Sequence, residues 1–411
     1  MVLGDLHVQV QARINRLCQI ACDFRSLQKL ILQVILMSVY IDPVNKTTYP
    51  LTEKIWRSPS GGPLMLTPLE GIHRDMIDQS NRSLWRYQAS FPLEIEEPVS
   101  LGEGCTPLIA SKYEGRRCRF KLEWFAPTGS FKDRGASVMI SFLKQQGISS
   151  VIEDSSGNGG AAVAAYGTAA GMKVKILVPA STQPAKIAQI RAYGAEVILV
   201  PGEREATEAA AIKMASDIFY ASHNWHPFFL QGTKTIGYEI WEDLGYRIPD
   251  NIIIPASAGS SLLGCYIAFR ELIASGEAKH MPRLFVSQPA NCAPLHASFQ
   301  ADADDFVPTD YQPTIAEGTA IKRPIRLKEM LHALRDTDGG TVAIEESDII
   351  EASLNLARQG LYAEPTSALA AAAFSKLSGE NQINEDEETV IILTGSGLKA
   401  TLFYATQFDN T

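Results

Sequence analysis

From residue 119 onward, short apolar runs alternate with segments of helical spacing. Strands are predicted over residues 119–125, 150–153, 174–178, 197–200, 252–254, 284–287 and 390–393. Helices are predicted over 131–146, 161–170, 185–193, 203–217, 233–244, 262–274, 347–359 and 366–377. Gly171 and Gly194 follow two of these helices, where a glycine serves as C-terminal cap. The alternation implies an α/β fold with parallel sheets buried on both faces. Ligands of such sheets lie beyond the carboxyl ends of strands, on loops that enter the next helix. Upstream the pattern differs. Residues 50–99 are turn-rich, with Ser58-Pro59-Ser60-Gly61-Gly62-Pro63, and predict a small irregular unit. Residues 8–40 have helical spacing, and Asp42-Pro43 would stop that helix. This stretch reads as an oligomer arm, an extension, or sequence upstream of the true start.

A length of 411 residues allows two or three domains. Lys plus Arg number 37 and Asp plus Glu 46, a net charge of −9 that argues against a nucleic-acid binder. It leaves room for a local basic pocket. The longest apolar stretch, residues 30–41, is interrupted by Gln33 and Ser38 and is too short for a membrane span. It also starts too far from Met1 to read as a secretory signal. Cys18, Cys22, Cys105, Cys118, Cys265 and Cys292 form no CxxC pair, so no metal is expected. Reduced thiols in a cytosol-like compartment are the simplest reading.

Four loops carry chemistry. In Pro127-Thr128-Gly129-Ser130-Phe131-Lys132-Asp133-Arg134-Gly135, Lys132 falls in the first turn of a helix. The positive end of the macrodipole disfavours an ammonium there, which suits a nucleophilic or proton-carrying lysine. The bland alternative is a solvated charge beside Asp133 and Arg134. Ser155-Ser156-Gly157-Asn158-Gly159-Gly160 places hydroxyls and backbone N–H groups at a helix start, a cradle for a carboxylate or a simple N-cap. Ala256-Ser257-Ala258-Gly259-Ser260-Ser261 is a phosphate cup without the GK[ST] ending of a nucleotide P-loop and without a GxGxxG fingerprint. Thr394-Gly395-Ser396-Gly397-Leu398-Lys399 follows the last strand and does not have the spacing of a hydrolase nucleophile elbow. A lysine, a carboxylate cradle, a phosphate cup and a hydroxyl loop together suit a phosphorylated carbonyl cofactor, pyridoxal 5′-phosphate.

The segment 127–135 resembles the lysine motif of threonine synthases, members of the fold type II (tryptophan synthase β-like) group of pyridoxal-phosphate enzymes. Leu84-Trp85-Arg86-Tyr87, Ser100-Leu101-Gly102-Glu103-Gly104, Thr106-Pro107-Leu108 and the 394–399 loop extend the resemblance over about residues 50–405. It implies two open α/β domains with an N-terminal extension: residues 1–95 as extension and irregular unit, 96–140 with 246–411 as the large cofactor domain, and 141–245 as the small substrate domain. It further implies a homodimer. By matching position, Lys132 would hold the cofactor aldehyde and shuttle protons, and Phe131 would pack beside the ring. Asn158 would bond the 3′-oxygen. Ser257, Ala258, Gly259, Ser260 and Ser261 would hold the phosphate, and Thr394 would face the pyridine nitrogen. Ser155, Ser156, Gly157, Gly159 and Gly160 would hold the substrate carboxylate.

The sequence also departs from that family. Ser58 and Ser60 stand near the positions of a cysteine knuckle, and Gly159 replaces a commoner Thr or His. Ala126 replaces a frequent Asn. Residues 314–324 and Glu364-Pro365-Thr366-Ser367 resemble threonine and serine dehydratases more than synthases. The expected activity is therefore elimination or replacement at a β or γ carbon, first of all O-phosphohomoserine and water to threonine and phosphate. The alternatives are a threonine/serine dehydratase, a cysteine synthase-type β-replacement enzyme, and, in another class, a non-catalytic binding relative. A phosphorylated substrate needs a second anion site, for which Lys186, Arg191, Lys322 and Arg323 are candidates. His223, His226 and His296 read as structural, and Trp124 and Phe125 as core.

Overall fold

The computed structural model describes residues 38–182 and 184–408. The first sheet is antiparallel, with β1 (Val39–Ile41) between β2 (Thr48–Pro50) and β3 (Met65–Leu66). The helix expected over residues 8–40 lies outside the described residues up to 37, and its last two residues, Val39 and Tyr40, are strand instead. The β-branched Val39 and Ile41 flank the buried Tyr40, and Asp42 turns the chain by accepting from the Val44 amide at 2.9 Å. Ser58 and Ser60 donate to the same carboxylate at 2.6 and 2.5 Å, and these bonds hold Asp42 down to about 2. A carboxylate and two hydroxyls thus fix this turn.

The second sheet has the order β12-β11-β10-β13-β5-β4. Its strands are β4 (Leu108–Tyr113), β5 (Arg116–Leu122), β10 (Asn251–Pro255), β11 (Arg283–Pro289), β12 (Gly340–Ile344) and β13 (Thr389–Leu393). All its pairings are parallel except β4 with β5. That hairpin turns on Glu114 and Gly115, both at positive φ, as a two-residue primed turn requires. The third sheet, order β8-β7-β6-β9, is parallel throughout: β6 (Ser150–Glu153), β7 (Lys173–Pro179), β8 (Glu196–Val200) and β9 (Phe219–Tyr220). The central strands β10 and β13 are buried at every position, the mark of a sheet covered on both faces.

The Ala-rich helix Pro365–Gly379 covers one face of the large sheet. Ala368, Ala370, Ala371 and Ala373 let its backbone approach closely. Helix Ser260–Ala274 packs on the opposite face with Leu262, Leu263 and Phe269. Helix Lys132–Gln145 leaves the large sheet after β5 and packs on helices Asn158–Ala169 and Pro227–Thr233, within the core of the small sheet. It therefore joins the two sheets. Trp124 and Phe125, expected in the core, end β5 in a 3-10 turn. Phe125 is 62% exposed there and stacks on Trp124.

Candidate functional site

Register decides where the loops emerge. Strands β5, β13 and β10 lie side by side, Leu122 pairs with Leu393, and Ile253 pairs with Ile391. The lysine loop, the 394–399 loop and the 256–261 loop thus leave neighbouring carboxyl ends. The lysine loop is fastened to the last of them. The Phe131 amide donates to the Thr394 carbonyl at 3.0 Å, and the Ser396 amide to the Gly129 carbonyl at 3.1 Å. Within the loop, the Thr128 amide donates to Asp133 Oδ2 at 2.7 Å, and the Thr128 hydroxyl bonds Oδ1.

Asp133 and Arg134 are not the solvated patch that was the bland alternative. Both are fully enclosed. Arg134 donates to Glu123 at 2.7 Å and to both carboxylate oxygens of Glu239 at 2.7 Å. Lys121 meets Glu239 at 3.0 Å and Asp243 at 2.8 Å. This buried charge network anchors the chain on both sides of Lys132.

Lys132 is 9% exposed. Its Nζ lies 3.4 Å from Ser260 Oγ, 4.7 Å from the centre of the Phe131 ring and 5.6 Å from that of Phe229. Its pKa is lowered to about 8, chiefly by burial and also by Arg204, with Glu153 and Glu364 acting in the opposite direction. Desolvation is thus the leading cause, ahead of the helix-end effect that the sequence suggested.

The remaining predicted residues lie on three other loops, of which the 256–261 loop reaches the amine through Ser260. Ser257 is half-buried, and Ala258, Ser260 and Ser261 are buried. Gly259 precedes helix Ser260–Ala274 with φ +82°, and a side chain there would overlap Met330. The first N–H groups of that helix have no intrahelical acceptor. Asn158 starts helix Asn158–Ala169. Its Nδ2 donates to both oxygens of Glu364 at 3.1 Å, and its Oδ1 accepts from Lys399 Nζ at 2.9 Å. Ser155 and Ser156 are half-buried ahead of it, and Ser155 Oγ accepts from the Gly157 amide at 3.4 Å. Gly159 and Gly160 are buried in the first turn. Thr394 Oγ1 lies 3.0 Å from Ser367 Oγ and donates to Glu364 Oε1 at 3.4 Å.

Several neighbours carried no role in the sequence reading. Glu364 is enclosed, and burial raises its pKa. Lys399 faces it, and burial lowers that lysine. The signal for Glu364 was its place directly before a helix that starts with Pro365. His223, read as structural, lies against Gly159: a β-carbon on that glycine would come within 2.7 Å of the imidazole. His223 Nδ1 is 2.6 Å from Glu153 Oε1, and the His223 amide donates to Glu153 Oε2 at 3.1 Å. Asp154 follows, bonded by the Tyr220 hydroxyl at 2.7 Å and by Arg204 at 3.5 Å. Burial raises Glu153 to about 8 and Asp154 to about 7. The clue to this pair was two acids closing β6 just before the cradle. His226 and His296 do behave structurally. His226 caps helix Pro227–Thr233 through Nδ1, and His296 Nδ1 meets Thr341 Oγ1 at 3.0 Å.

Two of the cations suggested for a substrate phosphate are engaged elsewhere, whereas Arg191 stands on helix Pro184–Ala192, whose Gln189 reaches the Thr128 carbonyl of the lysine loop at 3.0 Å. Lys322 pairs with Glu205 at 3.8 Å on the surface, Arg323 lies over the Phe306 ring, and Arg191 is exposed. The Lys186 side chain lies outside the described residues.

Residues 99–395 match the family described as pyridoxal-phosphate dependent enzyme. The chain belongs to this family. It is 33% identical to the threonine synthase of Methanosarcina acetivorans over 77% of this chain and 80% of that protein. It is 32% identical to the threonine synthase of Methanocaldococcus jannaschii, over 86% and 90%. The processed threonine deaminase isoform 2 of Solanum lycopersicum has the same fold, with a TM-score of 0.63 at 23% identity, covering 74% of this chain and 88% of that one. Family members use pyridoxal 5′-phosphate, and the residues present have the chemistry for it. They offer a buried amine of lowered pKa, a helix start with free N–H groups beside two buried serines, and an enclosed hydroxyl at Thr394.

Proposed function

We propose that the chain is a threonine synthase-type lyase that converts O-phosphohomoserine and water to threonine and phosphate. The observation that carries this reading is the position of the Lys132 amine. It lies between two aromatic rings, where strand-end loops meet in a chain about one-third identical to threonine synthases. In this reading Lys132 would hold the cofactor aldehyde, and its neutral amine would take the substrate α-proton. Ser257, Ala258, Gly259, Ser260 and Ser261 would hold the cofactor phosphate, and Phe131, Asn158 and Thr394 would line the ring. The substrate carboxylate lies on Ser155, Ser156, Gly157, Gly159 and Gly160. When bound, the cofactor supplies an electron sink for the α-carbon. Lys399 and Glu364 hold Asn158 in place from opposite sides.

We assign the cofactor unit to residues 96–140 with 246–411, the substrate unit to 141–245, and the extension with the irregular unit to 1–95. The strands of the six-stranded sheet come only from the first set, and those of the four-stranded sheet only from the second. Exposed Leu398, Leu402 and Phe125 support a homodimer, and the free Cys105, Cys118, Cys265 and Cys292 suit a reducing cytoplasm. No helix among the described residues is long and apolar enough to cross a membrane.

A second reading, ammonia release from a hydroxy amino acid, is favoured by the engagement of Lys322 with Glu205 and of Arg323 with the Phe306 ring. Purified enzyme given O-phosphohomoserine, O-phosphoserine, threonine or serine decides between them. Phosphate with threonine supports the first reading, and 2-oxo acid with ammonia alone supports the second.

A further inference from the structure

We propose that His223, backed by Glu153, delivers a proton to the leaving oxygen of the substrate and so extends this site to amino acids whose leaving group is a bare hydroxyl. The inference rests on the elimination chemistry assigned to Lys132. Phosphate departs readily without help, whereas hydroxide is a poor leaving group and needs a proton as the C–O bond breaks.

Three observations place such a donor here. The imidazole occupies the space that Gly159 leaves empty, in the first turn of the helix that carries the carboxylate cradle. Its ring meets Phe229 edge-on at 5.7 Å, and Phe229 also flanks the Lys132 amine. Nδ1 faces Glu153 at 2.6 Å, while Nε2 has no hydrogen-bond partner among the described residues. The ring is thus held by one nitrogen and open at the other.

The proton count follows from burial. Glu153 is completely enclosed and keeps its proton up to about pH 8, and burial holds His223 neutral, well below its usual pKa. The groups facing the pair are Lys132, Asp154, Arg204 and Glu208. Lys132 and Arg204 disfavour an imidazolium, and Asp154 and Glu208 favour it. Below about pH 8 the pair therefore holds two protons: Glu153 donates to Nδ1, and Nε2 carries the other. In the reaction the Lys132 amine takes the α-proton. The C–O electron pair leaves with oxygen, the Nε2 proton joins it to give water, and the Glu153 proton moves to Nδ1. Lys132 gives up the α-proton to solvent as its neutral amine is regenerated, and a proton from solvent restores the pair, so the cycle closes with no net gain or loss. Hydrolysis of the dehydrated product then gives a 2-oxo acid and ammonia.

The test compares serine with O-phosphoserine in the cofactor-loaded enzyme and its His223→Asn and Glu153→Gln variants. Wild type releases 2-oxo acid from both. The serine to O-phosphoserine ratio of kcat/KM falls roughly 10²- to 10⁴-fold in His223→Asn. In wild type that ratio declines above about pH 8, as Glu153 ionises. An unchanged ratio in the variant overturns the proposal, because a merely positional histidine would lower both rates together. A wild type that handles the phosphorylated substrates but not serine or threonine also overturns it, and leaves the proposed function standing. A protein inactive on all four overturns both. Nitrogen-15 NMR of the imidazole gives a readout independent of turnover. The Nε2–H tautomer of His223 is expected at pH 7 in wild type, shifting to Nδ1–H above about pH 8. An Nδ1–H tautomer already at pH 6–7 contradicts the mechanism.

Discussion

The low pKa of Lys132 has a kinetic consequence that can be read in the cofactor-free protein. Only a neutral amine attacks an aldehyde. Burial takes this amine from 10.5 to about 8, with Arg204 acting in the same direction. At pH 7 an amine of pKa 8 is neutral in about one molecule in eleven, and one of pKa 10.5 in about one in three thousand. The buried lysine is thus roughly 300 times better supplied with its reactive form than an exposed one. The assay is stopped-flow uptake of pyridoxal 5′-phosphate by apo-protein from pH 6 to 10.5, with N-acetyl-lysine as reference for the titration of the reagent itself. Relative to that reference, the protein rate climbs to an inflection near pH 8 and levels off above about pH 9. Arg204→Met moves the inflection upward, because a neighbouring cation has been removed. A rate that still rises between pH 9 and 10.5, parallel to the free amine, refutes the argument that desolvation prepares Lys132.

Other consequences are structural. Arg134→Met leaves Glu123 and Glu239 buried without their shared cation, beside Lys121, and should destabilise the apo-protein by about 3–5 kcal/mol. Urea unfolding checks it, and a loss below about 1 kcal/mol would show that the network tolerates the gap. Gly259→Ala forces a side chain into the left-handed region against Met330. The expected result is cofactor affinity weakened at least about tenfold, for roughly 1–3 kcal/mol of strain and overpacking, read by equilibrium dialysis; unchanged affinity would place the phosphate elsewhere. Phe229→Ala opens the wall beside the amine to water and should move the Lys132 inflection toward 10. An inflection that stays near 8 would shift the cause of the lowered pKa from burial to charge.

Most of the strands and helices that carry the site were legible because parallel strands buried on both faces are written as short apolar runs. Ile252, Ile253 and Ile254, or Val390 to Leu393, admit few other readings. The edge hairpin β4–β5 was only half visible. Its charged Lys112, Arg116 and Arg117 face water and break the apolar signal that an interior strand would give. Strand Val39–Ile41 was hidden inside a helical periodicity that tertiary pairing overrode. At the site, glycine-rich loops and Lys132 announced themselves, since few residues tolerate those turns and helix starts. The His223–Glu153 pair did not, because its partners are 70 residues apart and meet only when β6 and the segment before Pro227 fold together. Glu364 and Lys399 were in quoted motifs, yet their joint hold on Asn158 spans three elements and no local pattern encodes it.

The account turns on a covalent bond between Lys132 and the cofactor aldehyde. Borohydride reduction of the cofactor-saturated protein, followed by proteolysis and mass spectrometry, tests it most directly. The prediction is one reduced pyridoxyl adduct, on the peptide that contains Lys132, and none in Lys132→Ala. An adduct on another lysine, or an unmodified Lys132 in fully loaded protein, would contradict it.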